Sequence, residues 1–221
     1  MKVIAHIKTD FTTKFGLPRQ SGLVKEIRGK IVFEPEYRVA EAFRGLEEFS
    51  HIWLLWEFSM AKRESWSPTV RPPMLGGNKR MGVFSTRSPF RPNSIGLSSV
   101  RLEKIEYTKE EGPILWVLGA DLMNDTPIYD IKPYLAYTDS HPDATGGFTA
   151  ALPERRLEVN FAPELLDKVP YSKQKSLLGV LAGDPRPSYI DDEERVYGFD
   201  FGGLEIKFKV AGGVLSVLSV E

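Results

Sequence analysis

The chain has 221 residues, 42% hydrophobic and 27% charged, enough apolar mass for a sizeable core in one domain or in a large and a small one. No apolar run approaches ~18 residues, which argues against a membrane span, and the opening MKVIAHIKTD has neither the apolar core nor the cleavage site of a secretory signal. Zero cysteines exclude disulfides, thiolate metal sites and a cysteine nucleophile and suit a reducing cytoplasm, and three widely spaced histidines give no metal-ligand spacing, so no metal is expected.

In chain order, strands are expected at Val3–Ile7, Ile31–Phe33, Ile52–Phe58, Gly82–Phe84, Ile95–Leu102 and Ile114–Leu122, all rich in β-branched and aromatic residues and separated by Gly/Pro clusters. Trp53 and Trp56 on the third of these read as core. Between the second and third, Val39–Phe49 is expected to be helical, with Ala40, Phe43 and Leu46 on one face. After Gly146-Gly147 the texture changes. Pro163 opens one helix, a second runs over Ser172–Leu181, and Gly183 stops it before Pro185 and Pro187. Alternation in Leu204–Val210, a turn at Ala211-Gly212-Gly213 and Val214–Val220 then read as a hairpin with one buried face. The fold class is therefore mainly β: a small barrel over residues 1–150 and a smaller α+β domain over 151–221, with a boundary near Ala151.

Charge is segregated. Between Lys62 and Arg101 stand eight lysines and arginines against Glu64 alone, a local +7 that leaves −8 on the rest of a chain whose net charge is −1. Within this block Arg87 and Arg91 are flanked by Pro89 and Pro92, which lock φ and lower the entropy of the loop. Such a preorganised basic segment suits an anionic partner, nucleic acid or a phosphorylated small molecule. The glycine fingerprints of dinucleotide folds and phosphate-loop NTPases are absent, as is the G-x-S-x-G elbow of hydrolases.

Three further segments stand out. LPRQSG carries Arg19 and Gln20 directly after Pro18, RPPMLGGN reads as a rigid loop, and DLMNDTPIYDIKPY brings Asp121, Asp125, Asp130, Lys132 and Tyr134 into one short span. At strand alternation Asp130, Lys132 and Tyr134 share a side; on an ordinary surface the first two would be an ion pair of little energetic weight.

Together PRQ, FSHIW, RPP followed by LGGN, GVFSTRSPFRPNSIGLS and DIKPY closely resemble the TrmO (YaeB-like) family of S-adenosylmethionine-dependent tRNA methyltransferases, over roughly Ile4 to Ser140. DPRPSY, beginning at Asp184, is similar to the signature of that family's C-terminal domain. The resemblance implies a non-Rossmann β-barrel that binds S-adenosylmethionine, a homodimer, and methylation of N6 of N6-threonylcarbamoyladenosine beside the anticodon of tRNA. It implies cofactor contacts at Pro18, Arg19, Gln20, Ser59, Met60, Arg87, Leu97, Asp121, Leu122, Met123 and Asn124.

Chemistry adds the remaining expectations. Arg91 suits the threonylcarbamoyl carboxylate or a phosphate, because a guanidinium fork binds either oxyanion through two bonds. Asn93 offers a donor and an acceptor to a base edge, and Arg186, between two prolines, is assigned to tRNA. Asp130 or Tyr134 would accept the N6 proton, with Lys132 stabilising developing charge. Ser59-Met60 and Asn124-Asp125 depart from the family pattern, which has a histidine and a polar residue at the first place and Asp-Gly at the second. The second change puts an aspartate where glycine would tolerate positive φ. Two rivals remain at this point: a non-catalytic RNA-binding module and a hydrolase of an adenine-containing metabolite.

Overall fold

A computed structural model describes residues 1–61, 65–150, 156–187 and 192–221. The boundary expected near Ala151 lies outside these residues, as do Lys62, Arg63, Glu64 and the last two residues of DPRPSY.

Six strands, β1 (Ala5–Lys8), β2 (Arg28–Phe33), β3 (His51–Glu57), β6 (Ile95–Thr108), β7 (Gly112–Leu118) and β8 (Thr126–Pro133), close into an antiparallel barrel in the order β1-β2-β7-β6-β3-β8. Closure leaves no unpaired edge. Alternate side chains point inward, so Ile7, Ile31, Ile52, Leu54, Leu115, Val117 and Ile128 fill the interior. The same alternation separates the two tryptophans of β3. Trp56 is core, whereas Trp53, an odd number of residues away, faces out and is half-buried. Gly96 sits opposite Trp56 on β6; a Cβ there would lie 2.2 Å from the indole, so the ring occupies the space that a side chain would need.

Between β3 and β6 runs a two-stranded ribbon, β4 (Thr69–Val70) and β5 (Met81–Gly82). The strand expected at Gly82–Phe84 ends at Gly82, and Val83–Ser85 turn as a 3-10 helix. The helix expected over Val39–Phe49 is likewise two 3-10 turns, Ala40–Phe43 and Leu46–Glu48. Gly45 between them takes φ 84°, outside the helical region, which frees Phe43 to pack edge-on against Phe33 at 4.7 Å.

Beyond the barrel, the short helix α1 (Ala136–Asp139) is followed by β9 (Glu158–Asn160), α2 (Pro163–Leu166), α3 (Tyr171–Ala182) and the strands β10 (Tyr197–Phe201), β11 (Leu204–Ala211) and β12 (Val214–Val220). The sheet order is β10-β11-β12-β9, antiparallel except for β12 with β9. The expected hairpin is β11–β12, and Gly183 caps α3.

The second core is not made by this sheet and helix alone. Phe11, Val24 and Ile27, from the long β1–β2 loop, are buried in it beside Leu177, Phe199 and Phe208. Gly16 abuts Phe199 so closely that a Cβ would lie 2.4 Å from the ring, and Gly179 of α3 stands in the same relation to Val24 at 2.6 Å. Polar contacts follow the same seam: Lys173 meets Asp10 at 2.6 Å, and Ser176 Oγ donates to the Glu26 carbonyl at 2.8 Å. The C-terminal unit thus clamps the loop that carries Pro18, Arg19 and Gln20.

Candidate functional site

An open cleft of about 2730 Å³ lies between the barrel, the β4–β5 ribbon and α3. Nine lysines and arginines and five carboxylates line it among the described residues. Four loops converge there: Pro18–Gln20, Ser59-Met60, Thr86–Arg91 and the turn at Asp121–Asn124.

At its floor Asp121 is mostly buried. Ser98 Oγ, on β6, donates to Asp121 Oδ1 at 2.6 Å and accepts the Trp56 indole N–H at 3.0 Å. Burial pushes the Asp121 carboxyl above its ordinary value, while the Ser98 hydroxyl, the backbone N–H groups of Asp121 and Ser21, and the Arg87 charge hold it down in part. Arg87 in turn donates from Nη1 to Gln20 Oε1, which ties the arginine loop to the Pro18–Gln20 loop.

Hydroxyls in the arginine loop are spent on its shape. Thr86 Oγ1 donates to the Val83 carbonyl at 2.9 Å, Ser88 Oγ accepts from Phe90 N at 3.2 Å, and Ser94 Oγ donates to the Pro89 carbonyl at 3.3 Å. Arg91 Nη1 donates to the Thr86 carbonyl at 2.9 Å, leaving the rest of its guanidinium on the cleft wall. The uncompensated arginines that stand out in the sequence are therefore held by neutral main-chain and amide acceptors, with their charge directed at solvent and cleft.

The cleft brings together Pro18, Arg19, Gln20, Ser59, Met60, Arg87, Arg91, Leu97, Asp121, Met123 and Asn124. Leu97, 54% exposed, and Met60, 73% exposed, present bare apolar surface there. Asn124 also braces the turn, its Oδ1 accepting from Thr9 N at 3.1 Å. Next to it Asp125 adopts φ 62° and pairs with Lys8, so the aspartate at the glycine position keeps a left-handed turn. Leu122 points the other way. Its side chain is barrel core, and only its main chain, whose carbonyl accepts from Thr9 Oγ1 at 3.0 Å, faces the loop.

Other sequence-derived residues lie apart. Asn93 is exposed and outside the cleft lining. Arg186 turns inward and binds Asp184 through Nε at 2.8 Å and Nη2 at 3.0 Å; its carbonyl accepts from Arg19 Nη2 at 3.3 Å. Asp130 and Lys132 share the outer face of β8 as an ion pair of 3.1 Å, and Tyr134 packs on Trp53 with ring centroids 5.5 Å apart. None of these three lines the cleft, although Trp53 does.

Sequence reasoning missed Glu57, at the end of β3 on the cleft, which accepts the phenol of Tyr129; burial and then the Glu57 carboxylate push that phenol up to about 12. A register shift where β3 meets β8 turns Tyr129 outward beside Asp130, and no local sequence signal announces such a bulge. Lys175 of α3 and Arg156, basic residues of the C-terminal segment, also line the cleft.

A closed antiparallel barrel with a cationic cleft fed by the loops between its strands, its β1–β2 loop clamped by the C-terminal sheet and helix, is an architecture distinct from the Rossmann fold. Residues 6–140 match the tRNA-methyltransferase O N-terminal domain and residues 154–221 match the TrmO C-terminal domain, and the chain belongs to this family. It is 40% identical to the tRNA (adenine(37)-N6)-methyltransferase of Escherichia coli (strain K12), over 99% of this chain and 96% of that one. A Pseudomonas aeruginosa relative, 39% identical over 92% of this chain and 89% of its own, bears the name of an S-adenosylmethionine-dependent methyltransferase. The crystal structure of TrmO from the same organism superposes with a TM-score of 0.80 at 33% identity, covering 100% of this chain and 96% of that one. No helix among the described residues is long and apolar enough to cross a membrane, and none of their His, Asp and Glu residues form a group of three or more that could hold a metal ion.

Proposed function

We propose that the chain transfers a methyl group from S-adenosylmethionine to N6 of adenine 37 of tRNA when that base carries the threonylcarbamoyl group. The observation that carries this reading is the size and lining of the cleft. Small-molecule pockets measure roughly 300–1,000 Å³, so about 2730 Å³ leaves room for a nucleoside cofactor and an extruded nucleotide side by side. The name of the Escherichia coli relative supports the same reading. An RNA-binding module or a hydrolase accounts less well for a buried carboxylate, an amide-held arginine and bare apolar side chains on adjoining loops.

The lining fits S-adenosylmethionine by its chemistry. Arg87 and Gln20 would hold a carboxylate end, Asp121 would face positive charge, and Leu97 and Met60 offer apolar surface for an adenine ring, with Ser59, Met123 and Asn124 completing the wall. Pro18 stiffens the entry to the loop, and the Arg186 carbonyl steadies Arg19. When bound, this cofactor supplies a methyl carbon made electrophilic by its sulfonium. The protein then has to orient the acceptor amine and take its proton. Arg91 would position the threonylcarbamoyl group from the cleft wall, and Asn93, exposed outside the lining, would offer its amide to the tRNA there. Asp130, Lys132 and Tyr134 are the proposed proton-handling group; they stand outside the cleft lining, and Tyr134 touches it through its ring contact with Trp53. A homodimer working in the cytoplasm completes the proposal.

Calorimetric titration of S-adenosylmethionine into the wild type and Arg87→Ala tests the cofactor half. The expected result is saturable binding that the variant weakens by at least about 10-fold, the value of one charged hydrogen bond. No binding to the wild type would remove the basis of the reading.

A further inference from the structure

The β4–β5 ribbon and its flanking turns place Trp66 and Phe84 beside each other at the lip of the cleft. Their rings are stacked, 6.0 Å between centroids and 25° between planes, yet Trp66 remains 49% exposed and Phe84 72%. Phe84 lines the cleft together with Met60 and Met74, both also exposed. Bare aromatic surface of this extent has to be explained by what covers it in use.

Its charge setting narrows the occupant. From Ser65 to Leu102 the chain has six arginines and lysines and no acid. Stacked rings set among uncompensated cations are the means by which proteins hold unpaired bases: the π-faces accept any base, and the cations follow the phosphates. The cleft also demands such a device. An adenine presented for methylation at N6 must leave its stack, and the base next to it is then left with a bare face.

We infer that Phe84, backed by Trp66, is a stacking platform for the unpaired base adjacent to the target adenine. The inference deepens the tRNA reading given above and rests on it. Phe84 offers its outer face to the base, and Trp66 holds the Phe84 ring parallel from behind. Neither ring touches the reacting atoms, so the pair acts in binding and orientation.

The test uses the full-length protein and an anticodon stem-loop with 2-aminopurine beside the target adenine. The expected result for the wild type is quenching of 2-aminopurine fluorescence on binding, as its ring stacks. Phe84→Ala should weaken binding by about 10-fold and abolish the quenching, with the slope of affinity against salt unchanged. Phe84→Tyr, which keeps the ring, should restore both, and Trp66→Ala should give a smaller loss. Affinity for S-adenosylmethionine should be the same in Trp66→Ala as in the wild type.

Wild-type affinity and quenching in Phe84→Ala would overturn the platform while leaving the tRNA reading intact, provided that wild type methylates tRNA. A wild type that neither binds the stem-loop nor methylates tRNA would overturn both. If Phe84→Ala instead converts a dimer to monomers in sedimentation, the pair is an interface between copies and the platform is wrong.

Discussion

Ser98 Oγ lies 2.6 Å from Asp121 Oδ1 and also receives the Trp56 indole N–H, so one hydroxyl joins the barrel core to the floor of the cleft. Because burial raises the Asp121 carboxyl, the folded state favours its protonated form. Its stabilising contribution is therefore fully present below the unfolded value near 3.9 and is lost as pH rises through the folded one. Asp121→Asn has no such titration. The stability of the wild type minus that of the variant should fall as pH rises out of the acid range toward neutrality. Denaturant melts of both proteins across that range check this, and a difference independent of pH would contradict it.

Helix α3 should matter to cofactor binding although it belongs to the other core. Gly179→Ala would place a methyl 2.6 Å from a Val24 methyl, and Val24 lies in the loop that carries Arg19 and Gln20. β-Branched Val24 has few rotamers to escape into. A loss of about 1–3 kcal/mol in stability is expected, with weaker binding of S-adenosylmethionine in the fraction that remains folded. Unchanged cofactor affinity in the titration would show that the loop is set by the barrel alone.

Arg91→Lys keeps the charge and loses the planar fork. The Thr86 carbonyl loses its 2.9 Å donor at the same time. Turnover on threonylcarbamoylated tRNA should drop by about 10- to 100-fold, the equivalent of one charged hydrogen bond, while affinity for S-adenosylmethionine changes far less. Single-turnover methylation beside direct titration separates the two. A proportional loss of both would move Arg91 to the cofactor side.

Two carboxylates are candidates to accept the N6 proton in the proposed reaction. Asp130 is paired with Lys132 on the outer face of β8, and Glu57 lines the cleft and accepts from Tyr129. If the proposed group acts, Asp130→Asn should cut the single-turnover rate by about 100-fold or more, with Glu57→Gln near wild type. The reverse pattern would transfer the role to Glu57.

Much of this architecture can be read from the sequence because barrel strands alternate. Ile52, Leu54 and Trp56 point inward as their spacing requires, and Gly183 ends α3 where expected. What escapes such reading depends on partners distant in the chain. Val39–Phe49 has a helical apolar spacing, yet Gly45 at positive φ and the pull of Phe33 on Phe43 break it into turns. The outward face of Tyr129 follows from a bulge that only the pairing with β3 reveals. In the cleft, the loops beginning at Pro18, Thr86 and Asp121 stand out as motifs, whereas the docking of the first onto Phe199 and Gly179 has no local signal. Asp130, Lys132 and Tyr134 share a face as alternation requires; that the face lies outside the cleft lining is set by barrel closure.

Methyl transfer to one atom of one base can be read by nucleoside mass spectrometry. tRNA bearing threonylcarbamoyladenosine at position 37 is incubated with the protein and S-adenosylmethionine labelled in its methyl group, then digested. The expected result is a labelled nucleoside heavier by one methyl, fragmenting with the label on the N6 side of the base, and no product from tRNA that lacks the threonylcarbamoyl group. Label at another nucleoside, equal labelling of both tRNAs, or none at all from a protein that binds the cofactor would contradict it.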